Sequence, residues 1–163
     1  MKLHLRLVSL KFVLLAAAAM LLADVGLPRP AVHVSRQQTV LPGASVPPDV
    51  GEILSRACQD CHSDKTVWPW YAHLPPMSGL IAKDVREGRA FLNLSNWGQF
   101  SKGRKIGYLM AMSSAAAKGE MPPGRYTLIH GDARLSERER LRIAAWATEE
   151  AARVRAGRSA ADY

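Results

Sequence analysis

Cys58-Gln59-Asp60-Cys61-His62 is the stretch from which the rest of this chain is read. Cys58 and Cys61 are the two cysteines of the 163-residue sequence, and His62 follows the second directly. On one helical turn, positions i, i+3 and i+4 share a face, so two thiols and an imidazole aim at one point. Covalent haem attachment needs this set. Each thiol adds across a vinyl group as a thioether, and the imidazole binds iron on one side of the ring. A zinc site would need four ligands, and no second cysteine pair closes one; His4, His33, His73 and His130 are not paired at ligand spacing. A thioredoxin-like redox pair wants a βαβ context, whereas these flanks read as helical and proline-rich. A structural disulfide is the last alternative. The motif predicts one covalent haem c, with Cys58 and Cys61 as its attachment points and His62 as the proximal iron ligand.

Such haem is attached outside the cytoplasm, so the N-terminus matters. Lys2, Arg6 and Lys11 precede an uninterrupted apolar run at residues 12–23 (FVLLAAAAMLLA), which Asp24 ends. A basic start followed by an apolar run has the form of an export signal. Twelve helical residues reach about 18 Å, short of the ~30 Å hydrocarbon core. Counted from Leu7, with Lys11 snorkelling, the segment could just span. Leu21 and Ala23 would occupy the key positions of a cut before Asp24, which is no clean small-x-small site. Residues 1–27 are therefore expected to be a signal peptide or membrane anchor, the anchor favoured, with the protein in the periplasm. Residues 28–48 hold five prolines and no helical or strand periodicity, the composition of a linker. Residues 49–156 form the expected domain and 157–163 a flexible tail.

Asp49 can cap a first helix whose apolar positions Val50, Ile53, Leu54 and Ala57 lead to Cys58. Residues 66–80 (TVWPWYAHLPPMSGL) read as an aromatic, proline-rich loop, in which Trp70 is a candidate for haem packing. A short helix over residues 78–88 follows, with Leu80, Ile81 and Val85 inward and Gly88 as its stop. Residues 91–100 read as loop or a single turn with Trp97 buried. Residues 102–118 read as a helix with Ile106, Leu109, Met110, Ser113 and Ala117 along one stripe, ending at Gly119. Met121 lies on the Glu120-Met121-Pro122-Pro123 loop, where two prolines could hold a thioether in place. It is the candidate distal iron ligand; Met77 and His73 are the alternatives. Ser136 and Glu139 form a capping box opening a last helix that carries Leu141, Ile143, Ala144, Ala147, Ala151 and Val154, with Trp146 on the flank.

This order resembles class I c-type cytochromes: an all-α domain around one covalent haem. The segments CQDCHSDKTVWPWY, IAKDVREGR, FLNLSNWG, KGEMPPGRYTLIH and LSERERLRIAAWA resemble a bacterial family of exported single-haem haem-binding domains, over about residues 45–152. The resemblance implies Cys58 and Cys61 as attachment points, His62 as proximal ligand and Met121 as the methionine of the GEMP motif. Met77 departs from the small or branched residue expected there, and Gly131 from proline.

The expected function is one-electron transfer to redox partner proteins, without enzymatic activity. The alternatives are a haem-based gas or redox sensor in which Met121 is displaced, or a haem enzyme subunit. The chain carries a net charge of +8 from 22 basic and 14 acidic residues. Without residues 1–27, three basic residues and one acidic residue fewer leave +6, an excess that steers docking onto acidic partners. Arginines mixed with glutamates in the last helix give no nucleic-acid stripe. The remaining partners expected are the cytochrome c maturation machinery and, through the N-terminus, the inner membrane.

Overall fold

The computed structural model describes residues 41–157. The expected export signal or anchor, and most of the expected linker and tail, lie outside them. Among the described residues the protein is all-α: six α-helices, three 3-10 turns and no strand. The helices are α1 (Pro48–Ala57), α2 (Gln59–His62), α3 (Met77–Phe91), α4 (Lys102–Lys118), α5 (Gly124–Thr127) and α6 (Glu137–Arg155). None is long and apolar enough to cross a membrane.

The described residues form two compact units, one of residues 41–67 and 85–157, the other of Trp68–Asp84. In the larger unit, α4 packs along α6, and α1 contacts α6 and the 3-10 turn Gly131–Ala133. Val50, Ile53, Leu54 and Ala57 are all buried on α1, as their spacing predicts. They share the core with Leu92, Leu94, Trp97, Leu109, Ile143, Trp146, Ala147 and Ala151. Fully buried leucines such as Leu54 and Leu109 each contribute on the order of 2 kcal/mol relative to exposure.

Helix ends follow local chemistry. The Ser101 hydroxyl accepts from the Arg104 N–H at the start of α4, and Gly119 ends that helix in the left-handed region at φ 69°. The Ser136 and Glu139 capping box opens α6.

Several expectations are corrected. Asp49 does not cap α1; Pro47 precedes the helix, and the Asp49 carboxylate instead accepts from Arg142 at 2.7 and 3.1 Å. The α1 helix ends at Ala57, so the Cys58–His62 motif occupies its own turn. The helix expected over 78–88 runs on to Phe91, with Gly88 inside it and Leu80 exposed. Met110 and Leu141 are exposed, and Trp146 on α6 is a core residue. Leu41 is also fully buried, and the Ser45 carbonyl accepts from the Trp146 indole at 2.8 Å. The packed domain thus includes chain ahead of α1.

In the smaller unit, a 3-10 turn spans Trp70–His73, and the rings of Trp70 and Tyr71 meet edge to face at 5.6 Å. Trp70 and His73 are exposed; Met77 opens α3.

Candidate haem site

Cys58, Cys61 and His62 are half-buried around the one turn of α2, where the His62 N–H donates to the Cys58 carbonyl at 3.0 Å. The cysteines are thiols, not a disulfide. Burial, reinforced by the neighbouring Cys61, pushes the Cys58 thiol up to about 12. It therefore stays protonated at neutral pH, unlike the low-pKa cysteine of a redox-active pair. Among the described residues no group of three or more His, Cys, Asp or Glu is arranged to hold a metal ion.

The His62 ring is held by its Nδ1, 3.1 Å from the Leu92 backbone carbonyl. A carbonyl only accepts, so Nδ1 carries the proton and Nε2 keeps its lone pair for a metal. Two thiols beside an imidazole with a bare Nε2 fit a haem as donor set. Sequence reasoning placed His62 but missed Leu92, because a backbone acceptor leaves no trace in residue identity.

The end of α3 delivers that carbonyl. Leu92 itself is buried, and its N–H donates to the Gly88 carbonyl at 2.9 Å. Gly88 brings α3 against the motif: a Cβ there would lie 2.5 Å from the Cys61 carbonyl oxygen. Glycine serves here as a close-contact residue, with ordinary helical backbone.

The loop after His62 is fixed by polar contacts. Arg89 donates to the Ser63 carbonyl and to the Thr66 hydroxyl, both at 2.8 Å. Asn93 donates to Asp64 at 2.8 Å, and the Ser63 hydroxyl to the Gln59 carbonyl at 2.8 Å. Asp60, between the two cysteines, accepts from the Val67 N–H at 2.9 Å and from the Tyr126 hydroxyl at 3.0 Å.

Met121 is 44% exposed on the loop between α4 and α5. The Glu120 N–H donates to the Ala115 carbonyl at 2.9 Å, fastening the loop's start to α4. Cys58, Cys61, His62 and Met121 all belong to the larger unit; Trp70, His73 and Met77 belong to the smaller one.

Over 112 residues the chain is 28% identical to cytochrome c peroxidase Ccp of Escherichia coli (strain K12), covering 63% of this chain and 23% of that protein. The chain thus spans about a quarter of the length of this curated relative. No solved structure matches. The likeness corrects the expectation of a protein without enzymatic activity, because it points to a relationship with a haem enzyme. The physical reason is that a haem iron that changes oxidation state can serve electron transfer and peroxide reduction alike, so the CxxCH motif cannot exclude the second. The model of the haem-binding domain family matches residues 17–149, most of the sequence. With its donor set and this match together, the chain belongs to the haem-binding domain family and binds haem.

Proposed function

We propose that the protein holds a single haem c covalently and passes one electron at a time between partner proteins outside the cytoplasm. The observation that best supports this is the His62 Nδ1 to Leu92 carbonyl contact, which leaves Nε2 for iron beside two thiols. When bound, haem supplies an iron that alternates between ferrous and ferric, and His/Met ligation raises its potential relative to bis-His.

The chain's own residues do the rest. Cys58 and Cys61 tether the macrocycle as thioethers. Leu92 prevents the His62 ring from turning, which keeps the proximal ligand in place through each redox change. Met121 offers the second ligand from its proline-stiffened loop. The net positive charge draws acidic partners, an attraction that weakens with salt. Export through residues 1–27, with an uncleaved anchor favoured, would bring the chain to the cytochrome c maturation machinery.

A second reading is peroxide reduction, with Met121 giving way to the oxidant. The likeness to a cytochrome c peroxidase and the 44% exposure of Met121 favour it.

The test is production with the haem-attachment machinery, followed by reducing, heat-denaturing electrophoresis and haem stain. Wild type should keep the stain, and Cys58→Ser or Cys61→Ser should weaken or abolish it. Complete extraction of haem from wild type into acidified solvent overturns the covalent reading. Rapid oxidation of the reduced protein by hydrogen peroxide, with turnover of an added electron donor, would select the second reading.

A further inference from the structure

Tyr126 lies in α5, five residues beyond Met121, and its hydroxyl donates to Asp60 Oδ2 at 3.0 Å. Asp60 sits between the two cysteines, so this contact joins the haem-attachment turn to the segment carrying the candidate distal ligand. The two residues are 66 positions apart. Both ends of the contact are fixed. The second Asp60 oxygen accepts from the Val67 N–H at 2.9 Å, and the Asp60 carbonyl accepts from the Thr66 hydroxyl at 2.5 Å. The Tyr126 ring stacks on His130 with centroids 4.0 Å apart and planes 21° off parallel. His130 Nδ1 lies 3.0 Å from the Tyr126 carbonyl, and the Tyr126 N–H donates to the Pro123 carbonyl at 2.9 Å. Burial, followed by the Asp60 charge, pushes the phenol well above the usual tyrosine range, so it remains a donor.

The Met121 loop is thus fastened on both sides. Upstream, Glu120 is tied to α4; downstream, Tyr126 is tied to the motif itself. We propose that Tyr126 is a positioning residue, and that its hydrogen bond to Asp60 holds the Met121 loop in register with the haem-attachment turn. The inference rests on the reading of Met121 as distal ligand. A neutral thioether binds ferric iron weakly, so small loop displacements would release it. A hydrogen bond to a charged acceptor is strong enough to matter on that scale.

The test uses the haem-loaded protein and Tyr126→Phe, which keeps the stacked ring and removes the donor. Haem content should stay near wild type, and thermal stability should fall by no more than the loss of one hydrogen bond. The ferric methionine-to-iron charge-transfer band should weaken, and carbon monoxide binding to the reduced protein should accelerate by roughly tenfold, the scale of one such bond. Asp60→Ala should reproduce both changes, and Asp60→Asn, whose oxygen can stay on the Val67 N–H while its amide N–H donates to the Tyr126 hydroxyl oxygen, should restore part of the band. The double variant Tyr126→Phe with Asp60→Ala should be no worse than Asp60→Ala alone. If Met121→Ala abolishes the band while Tyr126→Phe changes neither readout, the clamp is wrong and the ligand assignment stands. If Met121→Ala leaves the band intact, the ligand assignment itself fails. Should Tyr126→Phe not load haem, the contrast between Asp60→Ala and Asp60→Asn decides: equal bands in the two overturn the proposal.

Discussion

Gly88 lies so close to Cys61 that a methyl group on its α-carbon would sit 2.5 Å from the Cys61 carbonyl oxygen. Backbone, not a flexible side chain, is the obstacle, so α3 would have to shift away from the Cys58–His62 turn. That shift would also move Leu92, whose N–H bonds to Gly88 and whose carbonyl holds His62.

Gly88→Ala should therefore destabilise the protein by about 1–3 kcal/mol, the range for overpacking, despite alanine's better helix propensity. Gly79 is an internal control in the same helix, since nothing lies within 4 Å of a Cβ there. Gly79→Ala should be neutral or stabilising by up to ~1 kcal/mol. Denaturant unfolding of the two variants checks this, and equal midpoints would remove the close-contact role of Gly88.

Residues whose partners are local were legible in the sequence. The bounds of α4 follow from Ser101 and Gly119, and the start of α6 from Ser136 and Glu139, all acting within a turn. The buried face of α1 follows from its 3.6-residue spacing. The CxxCH donor set was legible because spacing alone brings it together. Gly88 was not, because a glycine after a charged stretch reads as a helix stop unless its neighbour Cys61 is known. The Asp60 to Tyr126 bond and the docking of Ser45 on Trp146 were hidden for the same reason. They join residues 66 and 101 positions apart, which no local period records.

Glu150 and Arg153 form a buried ion pair on α6, with oxygen–nitrogen distances of 2.5 and 2.6 Å. Glu150 also accepts from the Ser45 N–H at 3.4 Å, joining the chain ahead of α1 to α6. Glu150→Ala would leave the Arg153 charge buried without its carboxylate. The expected loss is about 3–5 kcal/mol, typical of breaking one side of a buried pair. Thermal unfolding checks it; a loss within the range of an exposed pair, below ~1 kcal/mol, would show that other partners or water satisfy Arg153.

Acid should weaken the fold through two carboxylates. Arg142 holds Asp49 below its ordinary 3.8, and the Ser136 N–H and hydroxyl, then Arg56, hold Glu139 below its ordinary 4.5. A depressed carboxylate contributes stability that is fully present above its unfolded value and is lost as pH falls through its folded one. Urea midpoints should fall between neutral pH and about pH 3. Arg142→Ala should lower the midpoint at neutral pH and flatten part of the fall, since Asp49 then loses the largest of the contacts that favour its ionisation. An unchanged slope in that variant would assign the acid sensitivity to other groups.

In the proposed reading Met121, as distal ligand, decides how the haem centre works. Its sulfur is soft and neutral, so it suits ferrous iron and holds ferric iron only when the chain keeps it in place. Three features do so here. Gly119 turns the chain out of α4 in the left-handed region, Glu120 bonds back to Ala115, and Pro122 and Pro123 restrict the next two residues. The Pro123 carbonyl then accepts from Tyr126 at 2.9 Å and Thr127 at 3.2 Å, which starts α5. A loop held at both ends favours a ligand retained through the redox cycle. Ferric wild type should show a methionine-to-iron charge-transfer band, and the reduced protein should bind carbon monoxide slowly. Met121→Ala should lose the band, bind carbon monoxide quickly and lower the reduction potential. Met77→Leu and His73→Ala should leave all three nearly unchanged. Rapid carbon monoxide binding by wild type would point instead to a displaceable Met121, as sensing or peroxide reduction requires. Loss of the band in Met77→Leu would move the ligand to the start of α3 while leaving Cys58, Cys61 and His62 in their roles.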